Sequence, residues 1–151
     1  SYILEHLEPR KKNIFVHNTF TKTSDIEKAH AWSENCYWAS CPNANLYIEN
    51  RLPDYRCFLD SNAKLCLGTD SIMSNWQLDI WEEVKTIKKY NSYIPLSSLF
   101  RWACLNGAEA LDYDRIIGSI KPGKKPGLVH VDVKWEGESS DISGSSAKRV
   151  L

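Results

Sequence analysis

Three short apolar runs, each ending in polar residues and each followed by a helix-length stretch, constrain this chain more than any other feature. They span Asn13 to His17, Cys36 to Ser40 and Ala63 to Leu67. Repeated strand, short loop and helix imply parallel strands joined by right-handed crossovers. In such a layer the functional side chains lie at the C-terminal ends of the strands. Leu67-Gly68-Thr69-Asp70-Ser71 presents a carboxylate at one such end, followed by Ser74-Asn75 and a long amphipathic run. Phe15-Val16-His17-Asn18-Thr19 repeats the arrangement with a histidine.

Local signals fill in the rest. Ser24 or Asp25 predicts the cap of a helix reaching about Glu34, with Glu27 closing a capping box on Ser24. Cys41-Pro42-Asn43-Ala44-Asn45 reads as the exit loop of the second strand, and Pro53 as the start of a short helix through Leu59 that Asn62 closes. Ile80, Val84 and Ile87 mark one face of a helix running to about Tyr90. Pro95 opens another, with Leu96, Leu99, Trp102 and Ala103 inward, and Asn106-Gly107 is its expected stop. A further short helix is expected over Ala108 to Leu111. Gly118-Ser119-Ile120 and Leu128 to Asp132 read as two strands around a Pro/Gly-rich turn, and Gly137 to Ser146 as a polar tail.

The chain has 151 residues, the length of one domain but short of the roughly 250 of a closed eight-stranded βα barrel. Three βα units cannot close a barrel and leave two open sheet edges. Nineteen basic residues balance 19 acidic ones, for a formal net charge of zero. No basic face follows from that balance, which argues against a nucleic-acid partner, and Arg10-Lys11-Lys12 reads as a solvated loop. Five cysteines are present and no pair forms Cys-x-x-Cys. Cys36, Cys66 and Cys104 lie in apolar runs, so they are expected to be reduced, packed thiols of a cytoplasmic protein. No signal peptide and no membrane-length apolar run is expected. The chain opens at Ser1 in what reads as the last turns of a helix, and its single methionine is Met73. A beginning of that kind is expected of a piece of something longer.

His17 and Asp70 end the first and third strands. With strands about 4.8 Å apart, their backbones are expected roughly 10 Å from each other across the middle strand, close enough to share a metal ion or a water. Each is open to a plainer reading: His17 as a hydrogen-bonded histidine at the strand mouth, Asp70 as a helix cap. His6, His30 and His130 read as surface or packing residues, and Asn43 and Asn45 suit a turn.

Five segments occur together in a telling order: His17-Asn18-Thr19-Phe20, Cys41-Pro42-Asn43-Ala44-Asn45-Leu46, Leu67 to Ser71 with Ser74-Asn75, Asn106-Gly107-Ala108, and Gly118-Ser119-Ile120-Lys121-Pro122-Gly123-Lys124. In that order the chain resembles the amidohydrolase superfamily, nearest the cytosine deaminase, chlorohydrolase and aminodeoxyfutalosine deaminase branch. The resemblance implies an α/β fold: a partial (β/α)8 TIM barrel, strands six to eight, plus C-terminal helices and strands of a small β-sandwich. Residues 1–116 would then be barrel and helices, 117–136 returning sandwich strands, and 137–151 a polar tail. It further implies one divalent metal ion, zinc or iron, that brings the pKa of its water toward neutrality. Asp70 would be the strand-eight metal ligand and proton acceptor, and His17 the strand-six histidine beside the water. Asn43, Asn45, Ser71 and Asn75 would bind substrate, and the reaction would hydrolyse an amino group from a purine- or pyrimidine-like ring.

Three departures qualify what the chain does alone. No His-x-His occurs anywhere in it, and the family's strand-five histidine and glutamate have no counterpart. Pro126-Gly127 also stands where many members have Ala-Asp. A metal site needs three or more protein ligands, so the isolated chain is expected to be inactive and to need an N-terminal half as partner. The expected partners are otherwise a small heterocyclic amine and further copies of the chain as a homo-oligomer, with neither nucleic acid nor membrane. The rival readings are a non-catalytic half-barrel paired with a separate N-terminal half, and a complete small βα domain of unrelated function.

Overall fold

A computed structural model describes residues 2–150. After a 3-10 turn at Tyr2–His6 come β1 (Asn13–Val16), α1 (Thr23–Trp32), β2 (Cys36–Ser40), α2 (Pro42–Glu49), α3 (Tyr55–Asp60) and β3 (Leu65–Leu67). Three helices follow, α4 (Ile80–Tyr90), α5 (Leu96–Ala103) and α6 (Leu105–Ala110), and then β4 (Val129–Val131) and β5 (Ala147–Arg149).

The three strands expected from the apolar runs form a parallel sheet in the order β1-β2-β3. Val16 pairs with Ala39 and Ala39 with Cys66, so the next row places His17 beside Ser40 and Leu67. Bulky apolar residues from both layers meet in one core: Trp38 and Leu65 from the sheet, Tyr55 and Phe58 from α3, Trp81, Val84 and Ile87 from α4, and Leu99 and Trp102 from α5. Fully burying each such side chain contributes about 1.5–3 kcal/mol. β1 is an open edge, with alternate residues Ile14 and Val16 exposed. At the other edge α5 and α6 lie over β3, and the Asn106 side chain donates to the Leu65 carbonyl at 2.6 Å. That bond occupies an edge group which would otherwise be free to pair with another strand.

Five local expectations change. α1 starts at Thr23, and the carboxylate that closes its first turn is Asp25, which accepts from the Lys22 N–H at 3.1 Å. Cys41 to Asn45 is not an exit loop, because α2 begins at Pro42 directly after β2. α3 starts at Tyr55, two residues after Pro53, with Asp54 accepting from the Arg56 N–H as its cap. α5 ends at Ala103, so Asn106-Gly107 lies inside α6 rather than closing α5. Gly118 to Ile120 is not a strand; Gly118 adopts φ +85° and packs so tightly on α6 that a Cβ there would lie 2.6 Å from Ala108 Cβ.

The segment expected as a tail is docked. β5 pairs antiparallel with β4, and Ile142 is buried in the core. Trp81 Nε1 donates to Ser145 Oγ at 3.0 Å, and Lys85 Nζ to the Ser145 carbonyl at 3.1 Å. All five cysteines are free; Cys36, Cys41 and Cys66 are buried, while Cys104 is exposed instead of packed. No helix among the described residues is long and apolar enough to cross a membrane.

Candidate active site at the strand mouth

At the end of β1 the chain reverses sharply. The Asn18 N–H donates to the Val16 carbonyl at 3.0 Å, an i→i+2 closure around His17, whose φ is +70°. That combination belongs to the rare, strained γ-turn. Asn18 is itself left-handed at φ +62°, and its Nδ2 ties the turn to the Phe15 and Ala39 carbonyls at 2.8 and 3.2 Å. After β3, Asp70 is left-handed as well, at φ +57°. Both sequence-predicted catalytic residues thus occupy a region that non-glycine residues seldom adopt and that concentrates at functional sites.

Asn45, on α2, fixes the His17 ring. Its Oδ1 lies 2.9 Å from His17 Nδ1, and its Nδ2 faces the His17 carbonyl oxygen at 3.4 Å. The carbonyl can only accept, so the amide nitrogen belongs on that side and Oδ1 faces the ring. His17 Nδ1 is therefore the nitrogen that donates to Asn45, which in the neutral ring leaves the lone pair on Nε2. On the opposite arm Ser74 Oγ donates to Asp70 Oδ2 at 2.7 Å. His17 and Asp70 are thus each held by a different neighbour.

Of the four predicted substrate contacts, three are occupied within the fold. Asn43 is 3% exposed and uses all its groups: its N–H and Nδ2 donate to Glu83, and its Oδ1 accepts from Thr86 Oγ1 at 2.6 Å. Asn45 is 2% exposed and serves His17. Asn75 is buried and donates to the Thr69 carbonyl and to Glu83 Oε1, both at 2.7 Å. Ser71 is exposed, and its Oγ accepts from the Met73 N–H at 3.0 Å. Beside them Tyr47 and Trp76, both exposed, meet edge-on with ring centroids 6.3 Å apart.

Sequence reasoning missed Glu83. It is 0% exposed and accepts from Asn43 N at 2.8 Å, Asn43 Nδ2 at 3.1 Å and Asn75 Nδ2 at 2.7 Å. Cys41, the N-cap of α2, makes no capping bond, so this distant carboxyl satisfies an orphan N–H of the first turn, where the helix dipole favours negative charge. Burial pushes the Glu83 carboxyl above its ordinary range, and the three donors pull it part of the way back. Burial likewise pushes the Cys41 thiol up to about 12, helped by the charges of Asp70 and Glu83. Cys41 is thus a neutral packing group at this mouth and no nucleophile. The signal for Glu83 was present in the sequence: a carboxylate three residues after Ile80, inside the Ile80-Val84-Ile87 stripe.

The parallel βα layer thus presents an imidazole and a carboxylate beyond the C-terminal ends of its strands, the end at which functional residues of such layers lie. The sequence pattern of the Amidohydrolase family covers residues 1–150, and the chain belongs to that family. It is 32% identical over 131 residues to the 5-methylthioadenosine/S-adenosylhomocysteine deaminase of Pyrococcus abyssi, covering 82% of this chain and 30% of that protein. To the enzyme of the same name from Moorella thermoacetica it is 31% identical over 103 residues, covering 64% of this chain and 24% of that one. Among solved structures it matches a zinc-bound adenosine deaminase from Xanthomonas campestris with TM-score 0.70 and 28% identity, over 79% of this chain and 28% of that chain. The chain spans less than a third of the length of these relatives.

Proposed function

We propose that this chain forms the C-terminal part of a metal-dependent deaminase that hydrolyses the amino group of a purine-like ring. In that reading β1, β2 and β3 are strands six to eight of a (β/α)8 barrel, residues 1–116 are barrel and helices, and the β4–β5 ribbon belongs to a returning sandwich. The observation that carries it is the pair His17 and Asp70, left-handed at the ends of β1 and β3 on either side of β2 and separately braced by Asn45 and Ser74. Backbone strain of this kind concentrates at functional sites, which favours this reading over a non-catalytic remnant. The names of the relatives support an adenosine-type substrate ahead of aminodeoxyfutalosine.

A divalent metal is supported by the zinc in the Xanthomonas neighbour. Among the described residues no group of three or more His, Cys, Asp or Glu side chains gathers to hold one. The donors of this chain alone therefore do not make a metal centre, and Asp70 supplies at most one ligand to a site completed from outside. The family resemblance suggests the roles of these residues, and the bracing of both side chains supports them. Asp70, steadied by the Ser74 hydroxyl, accepts the proton of an attacking water and hands it toward the departing amine. His17, held as the Nδ1–H tautomer, turns Nε2 toward that water as an acceptor and orients it. Ser71 is the exposed hydroxyl left to meet substrate at the rim.

The test is ammonia release from 5-methylthioadenosine, S-adenosylhomocysteine and aminodeoxyfutalosine. The chain is assayed alone and together with the N-terminal portion of an amidohydrolase barrel. Release is expected only from the combined protein, strongest with the adenosine-type substrates, and lost by about 100-fold or more in Asp70→Asn. Release by the chain alone, or none from the combined protein, would overturn the reading.

A further inference from the structure

Glu83 touches neither His17 nor Asp70, yet both arms of the mouth lead back to it. Through the Asn43 N–H it fixes the first turn of α2, and two residues along that helix Asn45 holds His17 Nδ1. Through Asn75 Nδ2, which also donates to the Thr69 carbonyl, it fixes the backbone immediately before Asp70. The donors are consistent throughout: Asn43 turns its oxygen to Thr86 and its nitrogen to Glu83, leaving no polar group of that side chain free to rearrange. All three groups that reach the carboxyl donate N–H bonds to it, and none of the ion pairs among the described residues involves it. A carboxyl buried on these terms is expensive to retain for stability alone.

We propose that Glu83 is a positioning residue that sets His17 and Asp70 relative to each other by clamping the start of α2 to the loop after β3. The inference rests on the proposed reading only in taking His17 and Asp70 as the working pair. Removing one acceptor oxygen releases the Asn43 N–H, lets the first turn of α2 shift, and frees Asn45 from its fixed place against the imidazole. Cutting Asn75 instead loosens the Asp70 arm and leaves the α2 arm intact.

Two reporters read the arms separately: the ring nitrogen shifts of His17, which report its tautomer, and the backbone amide resonance of Asp70, next to the Thr69 carbonyl that Asn75 holds. In wild type His17 is expected to show the single Nδ1–H pattern. Glu83→Gln is expected to average the His17 tautomers and to shift the Asp70 amide. Asn75→Ala is expected to shift the Asp70 amide and leave the His17 pattern unchanged. A Glu83→Gln protein with both reporters at their wild-type positions, whatever its melting temperature, would reduce Glu83 to a packing residue and overturn the proposal. Should that variant not fold, Asn75→Ala decides: an unmoved Asp70 amide, or a moved His17, refutes the two-arm clamp. In the completed barrel, Glu83→Gln is expected to lower kcat for 5-methylthioadenosine by about 10–100-fold with KM little changed. If wild type hydrolyses no such amine, the deaminase reading falls, and the two resonances still judge Glu83.

Discussion

Replacing Glu83 by leucine separates what the buried carboxyl contributes from what its burial costs. Three N–H bonds end on it, but Asn75 Nδ2 keeps a second acceptor in the Thr69 carbonyl. The substitution therefore strands two donors, Asn43 N and Nδ2, in a site with no exposure at Glu83. Each stranded donor costs about 1–3 kcal/mol, so the loss is about 2–6 kcal/mol. The new apolar side chain returns about 2 kcal/mol by burial, which leaves a net destabilisation of about 0–4 kcal/mol, centred near 2. For a domain of this size that is a fall of up to about 16 °C in melting temperature. Urea unfolding of the two proteins side by side, followed by tryptophan fluorescence, reads the difference as a lower midpoint with an unchanged slope. A Glu83→Leu protein more stable than wild type would show that the desolvation cost of the carboxyl exceeds what its hydrogen bonds return, and the cost assigned to the two stranded donors would be wrong.

Other consequences are open to quick tests. Because burial holds the native Glu83 carboxyl above its ordinary range, the folded state binds its proton more tightly than the unfolded one. Its stabilising contribution is then fully present below the ordinary value of about 4.3 and is lost as pH rises through the raised native value. The stability of wild type relative to Glu83→Gln should fall over that window, and a difference that rises with pH contradicts the direction. With Cys36, Cys41 and Cys66 buried and Cys57 and Cys104 accessible, a thiol reagent should label two cysteines promptly in the native protein and the remaining three on unfolding. Prompt labelling of Cys41, whose thiol is pushed up to about 12, would contradict its packing against the Asp70 loop. Gly118→Ala should destabilise by about 1–3 kcal/mol in thermal unfolding, since it adds a Cβ at φ +85° against Ala108; an unchanged melting temperature would refute the tight contact.

The sequence was most legible where structure is set locally. β1, β2 and β3 follow from apolar runs bounded by polar residues, and α4 from its stripe at Ile80, Val84 and Ile87. α2 was hidden because Cys41 is a poor cap and Pro42-Asn43-Ala44-Asn45 has the composition of a turn. What caps it is Glu83, 40 positions away in sequence, and no local pattern encodes a partner at that range. β5 was hidden for a similar reason: Ala147-Lys148-Arg149 lacks alternating apolar residues and is a strand because β4 pairs with it. At the site, His17 and Asp70 could be singled out by their place after apolar strands, but their left-handed backbones could not. Asn43, Asn45 and Asn75 were recognisable as polar residues near the mouth. That they brace the site from within depends on side-chain directions that spacing alone does not supply.

The central claim is that His17 and Asp70 are half of a metal-dependent centre completed by residues from outside this chain. Elemental analysis of the purified chain, alone and joined to an N-terminal barrel portion, with Asp70→Asn beside each, addresses it directly. No stoichiometric metal is expected on the chain alone, stoichiometric metal on the combined protein, and its loss in Asp70→Asn. Tightly held metal on the isolated chain, or metal in the combined protein that survives Asp70→Asn, would contradict it.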